Sequence, residues 1–314
     1  MRSRLFLALL AVYVIWGSTY WAITVMLRTL PPLATSGLRF LVAGAILAGV
    51  LRARGARWPS AREWGGAALV GVLLLSVGNG IIAWSEQWVS SSLAAIVVST
   101  VPLWVAVFST AMGEPASRRD WLALAVGFGG VVWMNAGGEI LASGPKAFVI
   151  VLSPVAWALG SIAARRVRLP ACAMSTAAQM LAGGAALFAV GVGAGERFVQ
   201  VPSAASVAAL AYLTVFGSII GFTAFGYLLR NARPALATSY AYVNPVIAVA
   251  IGTVLGGDRP AVHTLFGGAA VVAAVVLLSR ARASAPRAVA SRPAEACRPA
   301  VGLGPLARQA RQGG

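Results

Sequence analysis

The stretch PALATSYAYVNPVIAVAIGTVL, residues 234–255, decides how the chain is read. It is long enough to cross a bilayer, yet it carries Thr238, Ser239, Tyr240, Tyr242 and Asn244, with Pro245 near its middle. A proline there donates no backbone hydrogen bond and strips the partner from the Ala241 carbonyl. In hydrocarbon a freed polar group must be buried in protein or face water, so the segment is expected to line a cavity. The pattern has a double upstream. With Pro102 set on Pro245, SSLAAIVVSTVPLWVAVFSTAM (residues 91–112) falls on this stretch with small residues at matching places. The acidic turns that follow, Gly113-Glu114 and Gly257-Asp258, then land within one residue of each other. A broken helix repeated in two halves points to a transporter binding site, with Pro102 and Pro245 as helix hinges.

Composition agrees. Apolar residues make up 59% of 314 and charged residues 11%, and the apolar runs are too long for the core helices of a soluble domain. The formal charge of +17 invites a nucleic-acid reading. It fails, because the arginines lie between apolar runs and in the C-terminal tail, with no basic-aromatic module. Cys172 and Cys297 are far apart and form no metal or redox spacing. His263, the one histidine, lies near an expected helix start and reads as an ordinary interfacial side chain. Neither a metal nor a cofactor is expected.

Periodicity predicts an all-α integral membrane protein with ten transmembrane helices, near 5–27, 33–51, 65–84, 91–111, 121–137, 147–165, 171–193, 206–229, 234–255 and 261–279. The first is too long for a signal peptide and lacks a small-residue cleavage site. Residues 281–314 are rich in Ala, Arg, Pro and Gly and are expected to form a disordered basic cytoplasmic tail. Basic residues set the orientation. With the N-terminus inside, twenty lie on the cytoplasmic side and four (Arg28, Lys146, Arg197, Arg259) on the other, while Arg39 lies within a helix. Both termini are therefore expected in the cytoplasm and the chain in the cytoplasmic (inner) membrane.

The halves repeat beyond the proline helices. Residues 35–50, TSGLRFLVAGAILAGV, overlay residues 175–190, STAAQMLAGGAALFAV, at a spacing of 140. The IWGSTYWA around Trp16 resembles the AWALGSIAA around Trp157. Common order and a nearly constant offset mark an internal repeat. Five helices per repeat is odd, so the second half must enter the membrane from the other side, as an inverted repeat.

These residues resemble a known family. The early WGSTYWAI, the GLRFLVAG of helix two, the GNG of residues 78–80, the SSLAAIVVSTVP run and the PALATSYAYVNPV run look like EamA-type permeases of the drug/metabolite transporter (DMT) superfamily, and among them the YedA-like exporters. The resemblance covers residues 5–280, as a first EamA repeat over 5–137 and a second over 146–280. It implies alternating access, a central cavity between the halves and export of amino acids, related metabolites or toxic compounds. It also implies that helices one, three, four, six, eight and nine stand near the cavity.

Several residues carry candidate chemistry. Tyr13, Trp16, Gly17, Tyr20 and Thr24 share a face of helix one. Trp16 and Tyr20 either stack on a substrate or belong to a helix–helix seam in which Gly17 is a packing residue. Asn79, between two glycines at membrane depth, either contacts substrate or bonds another helix. Tyr240 and Asn244 lie one turn apart beside Pro245 and are expected to face the cavity, given the cost of burying unpaired polar groups. Trp104, Trp157 and Tyr242 read as packing or interfacial anchors. A charge at membrane depth needs a partner or water. Arg39 is expected to face Glu86 in the outer half of the cavity, directly or through water, with substrate or proton competing for Glu86. The alternative has Arg39 snorkelling to the interface and Glu86 solvated.

No HExxH, CxxC, Gly-x-Ser-x-Gly or P-loop motif is present, and no candidate base sits at depth, which argues against an enzyme or an ATP-driven pump. The expected function is secondary-type export of a small-molecule substrate across the lipid bilayer, with the proton as a candidate coupling ion. The rival is a non-transporting sensor or scaffold with a transporter-like fold. Helix one holds no acid, which disfavours polycationic substrates; aromatic walls, amides and one arginine suit amino acids or other amphipathic, zwitterionic or anionic metabolites.

Overall fold

A computed structural model of the chain describes residues 2–89, 94, 97–134, 149–256 and 262–280. The tail expected over 281–314 and the junction of the two repeats, 137–146, lie outside the described residues. The described residues form helices and turns without a strand. In chain order these are α1 (Arg2–Met26), α2 (Pro32–Ala53), α3 (Ala61–Ser85), α4 (Val101–Ala111), α5 (Arg118–Met134), α6 (Leu152–Arg166), α7 (Cys172–Gly193), α8 (Ala204–Asn231), α9 (Pro234–Ala237 and Tyr240–Gly256) and α10 (Val262–Arg280).

Among the described residues six helices are long and apolar enough to cross a membrane, and Val101–Ala111 and Leu265–Leu278 are shorter apolar helices. Phe6, Leu7, Trp21, Trp133 and Val272 are more than half exposed, an apolar surface that suits lipid rather than water.

The internal repeat is visible as packing. α2 and α7, the pair overlaid at a spacing of 140, lie antiparallel with their backbones in contact. A Cβ placed on Gly44 would lie 3.0 Å from Leu181, and one placed on Gly184 would lie 2.9 Å from the backbone nitrogen of Leu41. Moving Gly44 forward by 140 and Leu181 back by 140 produces the second contact, so the two are copies of one contact related by a pseudo-two-fold axis. α5 and α10 repeat the arrangement, with Gly130 against the Gly267 carbonyl and Ala270. Equivalent helices that run antiparallel are the packing expected of an inverted repeat.

The starts of α3 and α8 also match. Each follows a Pro-Ser-Ala sequence, at residues 59–61 and 202–204. Glu63 closes a capping box with Ser60, and the Ser203 hydroxyl accepts the Ser206 amide at 3.1 Å. Further along, each helix widens into a π-helix, Val72–Asn79 in α3 and Leu213–Ile220 in α8, at an offset of 141. π-Segments this long are rare and displace backbone carbonyls from the ordinary helical ladder. Side chains from other helices take two of them. Ser153 Oγ donates to the Gly78 carbonyl at 2.8 Å and Trp16 Nε1 to the Gly217 carbonyl at 3.1 Å.

The proline breaks fall differently from the sequence expectation. α9 is interrupted by a turn at Thr238 and Ser239, and Pro245 lies inside a continuous helix, Tyr240–Gly256. Local side chains explain the position: Thr238 Oγ1 donates to the Pro234 carbonyl at 3.0 Å and Ser239 Oγ to the Leu236 carbonyl at 2.8 Å. They offer the backbone an alternative to the helical ladder. In the first half the turn at Ser99 and Thr100 directly precedes α4, and Pro102 occupies its first turn. A proline is tolerated there because the missing N–H has no intrahelical partner to lose.

The two ends of the bundle are tied across the repeats. Glu196 accepts the backbone amides of Leu33 and Ala34 at 3.1 and 2.7 Å, capping α2 with a negative charge. At the opposite end Arg233 pairs with Asp120 at 2.8 Å and Arg166 with Glu114 at 3.5 Å, while within the second repeat Arg165 donates to the Ala232 carbonyl.

The seam makes a direct prediction. A Cβ on Gly37 would collide with the backbone of Phe188, whereas one on Gly49 meets nothing within 4 Å. Gly37→Ala should cost about 1–3 kcal/mol, and Gly49→Ala should be neutral or stabilising by roughly 0.5–1 kcal/mol. Thermal unfolding of the two purified variants checks this; equal melting temperatures would remove the seam as a close-packed contact.

Candidate functional site

A cavity of about 50 Å³ lies where the two halves meet. That volume holds a few water molecules and is smaller than a metabolite. Its floor is aromatic. Trp16 of α1 and Trp157 of α6 are equivalent at an offset of 141, and their rings meet edge to face with centroids 5.6 Å apart. Tyr240 and Phe222 stand 4.7 and 4.9 Å from Trp16. Such edge-to-face contacts fix the rings beyond what burial alone achieves. Deeper on the arginine-rich side Phe225 and Leu228 are fully buried, so the floor is solid.

The polar part of the wall comes from three helices. Arg39 of α2 is 4% exposed; its Nη2 donates to Asn79 Oδ1 at 3.0 Å, and its guanidinium lies 4.3 Å from the centroid of the Phe40 ring. Asn79 reaches the cavity because it ends the π-segment of α3. On the other side Asn244 of α9 stands beside the Tyr20 hydroxyl, and its Oδ1 is buried without a hydrogen-bond partner among the described residues. The break in α9 is fixed nearby by Tyr13, whose hydroxyl shares a 2.7 Å hydrogen bond with Ser239 Oγ.

Six of the seven residues singled out as cavity candidates therefore line one space: Trp16, Tyr20, Arg39, Asn79, Tyr240 and Asn244. Glu86 is not among them. It follows the last turn of α3 with both carboxylate oxygens buried, close enough to Arg39 and Tyr20 to interact electrostatically but without a direct ion pair among the described residues. Neither snorkelling nor a solvated carboxylate describes the two side chains.

Gly17 presses against Ile247 and Thr24 bonds back to the Trp21 carbonyl, so the helix-one face divides between cavity and seam. Tyr242 packs on α5, with its hydroxyl on the Leu124 carbonyl at 3.2 Å, and Trp104 stacks on Phe108. Trp157 packs in the core against Trp16, Phe222 and Phe225, and it lines the cavity as well, which the repeat offset pairing it with Trp16 could have signalled. Ser153 and Gly217 also reach the wall, through the backbone of the π-segments, for which no residue pattern exists.

Comparison with known proteins agrees with this architecture. The EamA-like transporter family matches twice, over residues 3–136 and 145–280. The chain is 43% identical over 284 residues to the uncharacterized inner membrane transporter YedA of Escherichia coli K12, covering 89% of this chain and 93% of that protein. It is 27% identical to a probable terminal-alkyne amino-acid exporter of Streptantibioticus cattleyicolor, covering 88% and 94%. A crystal structure of a protein with 21% identity shares the fold, with a TM-score of 0.74 over 88% of this chain and 96% of that one. The chain is a member of the EamA-like transporter family, a DMT permease close to YedA.

Proposed function

We infer that the protein exports small amphipathic metabolites, amino acids or related compounds, by alternating access across the cytoplasmic membrane. One observation carries this: an arginine and two amides converge with an aromatic floor on a cavity beside the pseudo-two-fold axis. The guanidinium and amide suit a carboxylate, and the rings suit an apolar side chain. The names of the relatives lend support, one as an inner membrane transporter and one as a probable amino-acid exporter. In this reading ten helices cross the membrane as two inverted repeats, 5–137 and 146–280. The arginine-rich end and both termini face the cytoplasm, which reporter fusions at each terminus test.

Reconstituted into liposomes, the protein should move radiolabelled L-phenylalanine or its toxic analogues. Arg39→Gln should reduce that flux about tenfold or more, the loss of a charged hydrogen bond worth about 1.5–3 kcal/mol. Binding without flux in the wild type would instead favour a sensor with a transporter-like fold.

The helix breaks before Pro102 and Pro245 are the joints of the cycle in this account. Alanine at Pro245, inside the helix, offers the backbone one more helical hydrogen bond, and alanine at Pro102 frees the fixed φ of the first turn; either should favour one conformation. Transport should then fall more than expression or binding does. If both alanine variants transport at the wild-type rate, the prolines are structural only.

A further inference from the structure

Behind the cavity wall, between α2 and the end of α3, lies a polar cluster that the transport reading leaves unused. Both Glu86 carboxylate oxygens are buried there without a hydrogen-bond partner among the described residues. The hydroxyl of the adjacent Ser85 is in the same condition, as are those of Thr35 and Ser36, one turn before Arg39 on α2. Arg39 is the charged group near Glu86 on α2, and Tyr20 the titratable one on α1. α6 also packs on this part of α3, but its titratable residues, Arg165 and Arg166, are at the opposite end of the bundle.

Arg39 has a choice of partners. Its Nη2 holds Asn79 while its Nε is buried and has no hydrogen-bond partner among the described residues. A carboxylate without donors is costly to keep in a dry wall, and an uncharged carboxyl much less so. Arg39 on Asn79 is therefore compatible with a protonated Glu86. Ionisation would draw the guanidinium from the amide towards a charge-assisted pair.

We propose that Glu86 is a proton site whose occupancy sets the partner of Arg39: protonated, it leaves the guanidinium on Asn79 and facing the cavity; ionised, it withdraws it. The O–H bond of Glu86 is the one bond made and broken, with the proton taken from and returned to solvent. An anionic group on Arg39 and a proton on Glu86 then favour each other by linkage. A carboxylate substrate and a proton travel in the same direction, and export runs on the metabolite's own gradient. The repeat equivalents of Arg39 and Glu86, at offsets of 140 and 141, are Gln179 and Tyr227, so one half of the bundle alone carries this switch.

The inference rests on the cavity being the substrate site, and two measurements on the purified full-length protein separate the claims. The first uses no ligand. Infrared difference spectra between acid and alkaline buffer should show a titrating protonated carboxyl that Glu86→Gln removes and Glu86→Asp keeps. Identical spectra for wild type and Glu86→Gln overturn the proposal. The second follows phenylacetate binding by tryptophan fluorescence. Wild-type affinity should rise about tenfold per unit of acidification on the alkaline side of the titration and level off on its acid side, as one linked proton requires, while Glu86→Gln binds with the acid-side affinity at every pH. Binding that is independent of pH in the wild type, or unchanged in its pH dependence by Glu86→Gln, also overturns it. If the carboxyl band behaves as expected but phenylacetate does not bind, the proton site stands and the substrate-site reading fails.

Discussion

The architecture depends on the contact between α2 and α7, two equivalent helices that run antiparallel with backbones touching at glycine. No side chain separates them at Gly37, Gly44, Gly184 and Gly191, so their relative height and rotation are set by the chain itself. In lipid the hydrophobic effect does little to hold one helix against another, and close packing of small residues takes over. Because the Gly44–Leu181 contact has its copy in Gly184–Leu41, the seam also places the axis that relates the halves. Trp16 and Trp157 meet as equivalents, and the cavity opens beside them.

A second constraint shapes the cavity. Backbone groups in hydrocarbon must be satisfied, yet a binding site needs irregular backbone to present polar atoms. The chain meets both demands with devices that displace carbonyls without abandoning them. π-Segments in α3 and α8 turn Gly78 and Gly217 outward, where Ser153 and Trp16 accept the task of bonding them. In α9, Thr238 and Ser239 hold the break with their own hydroxyls and Tyr13 braces it from α1. The cavity wall and the fold's hydrogen-bond economy are therefore one set of residues.

Much of this was readable from residue order. Apolar run lengths, the arginine distribution and the offset of 140 point to a repeat in a membrane, and they do so because bilayer thickness and duplication both leave regular spacing. Residues placed by depth and polarity, Arg39, Asn79 and Asn244, fall on the cavity for the same reason. The π-segments left no trace, since an i→i+5 bond demands no residue type. Pro245 misdirected the position of the break because a proline marks where a helix can bend, while neighbouring hydroxyls decide where it does. Trp157 packs as expected and lines the cavity too, because a buried aromatic looks alike in a seam and in a wall; its equivalence to Trp16 is the signal for the second role. Glu86 is set behind Arg39 by the packing of α3 on α2, which sequence depth alone does not resolve.

Under the alternating access proposed above, the two halves rock about the α2–α7 seam, which stays fixed. Pulsed electron-spin distance measurements on reconstituted protein test this motion directly, with one label pair spanning α2 and α7 near Gly44 and Leu181 and one pair across each end of the bundle. The account predicts a single seam distance, together with end distances that each split into two populations in opposite senses. A seam distance that broadens with the ends, or ends that open and close together, would contradict it.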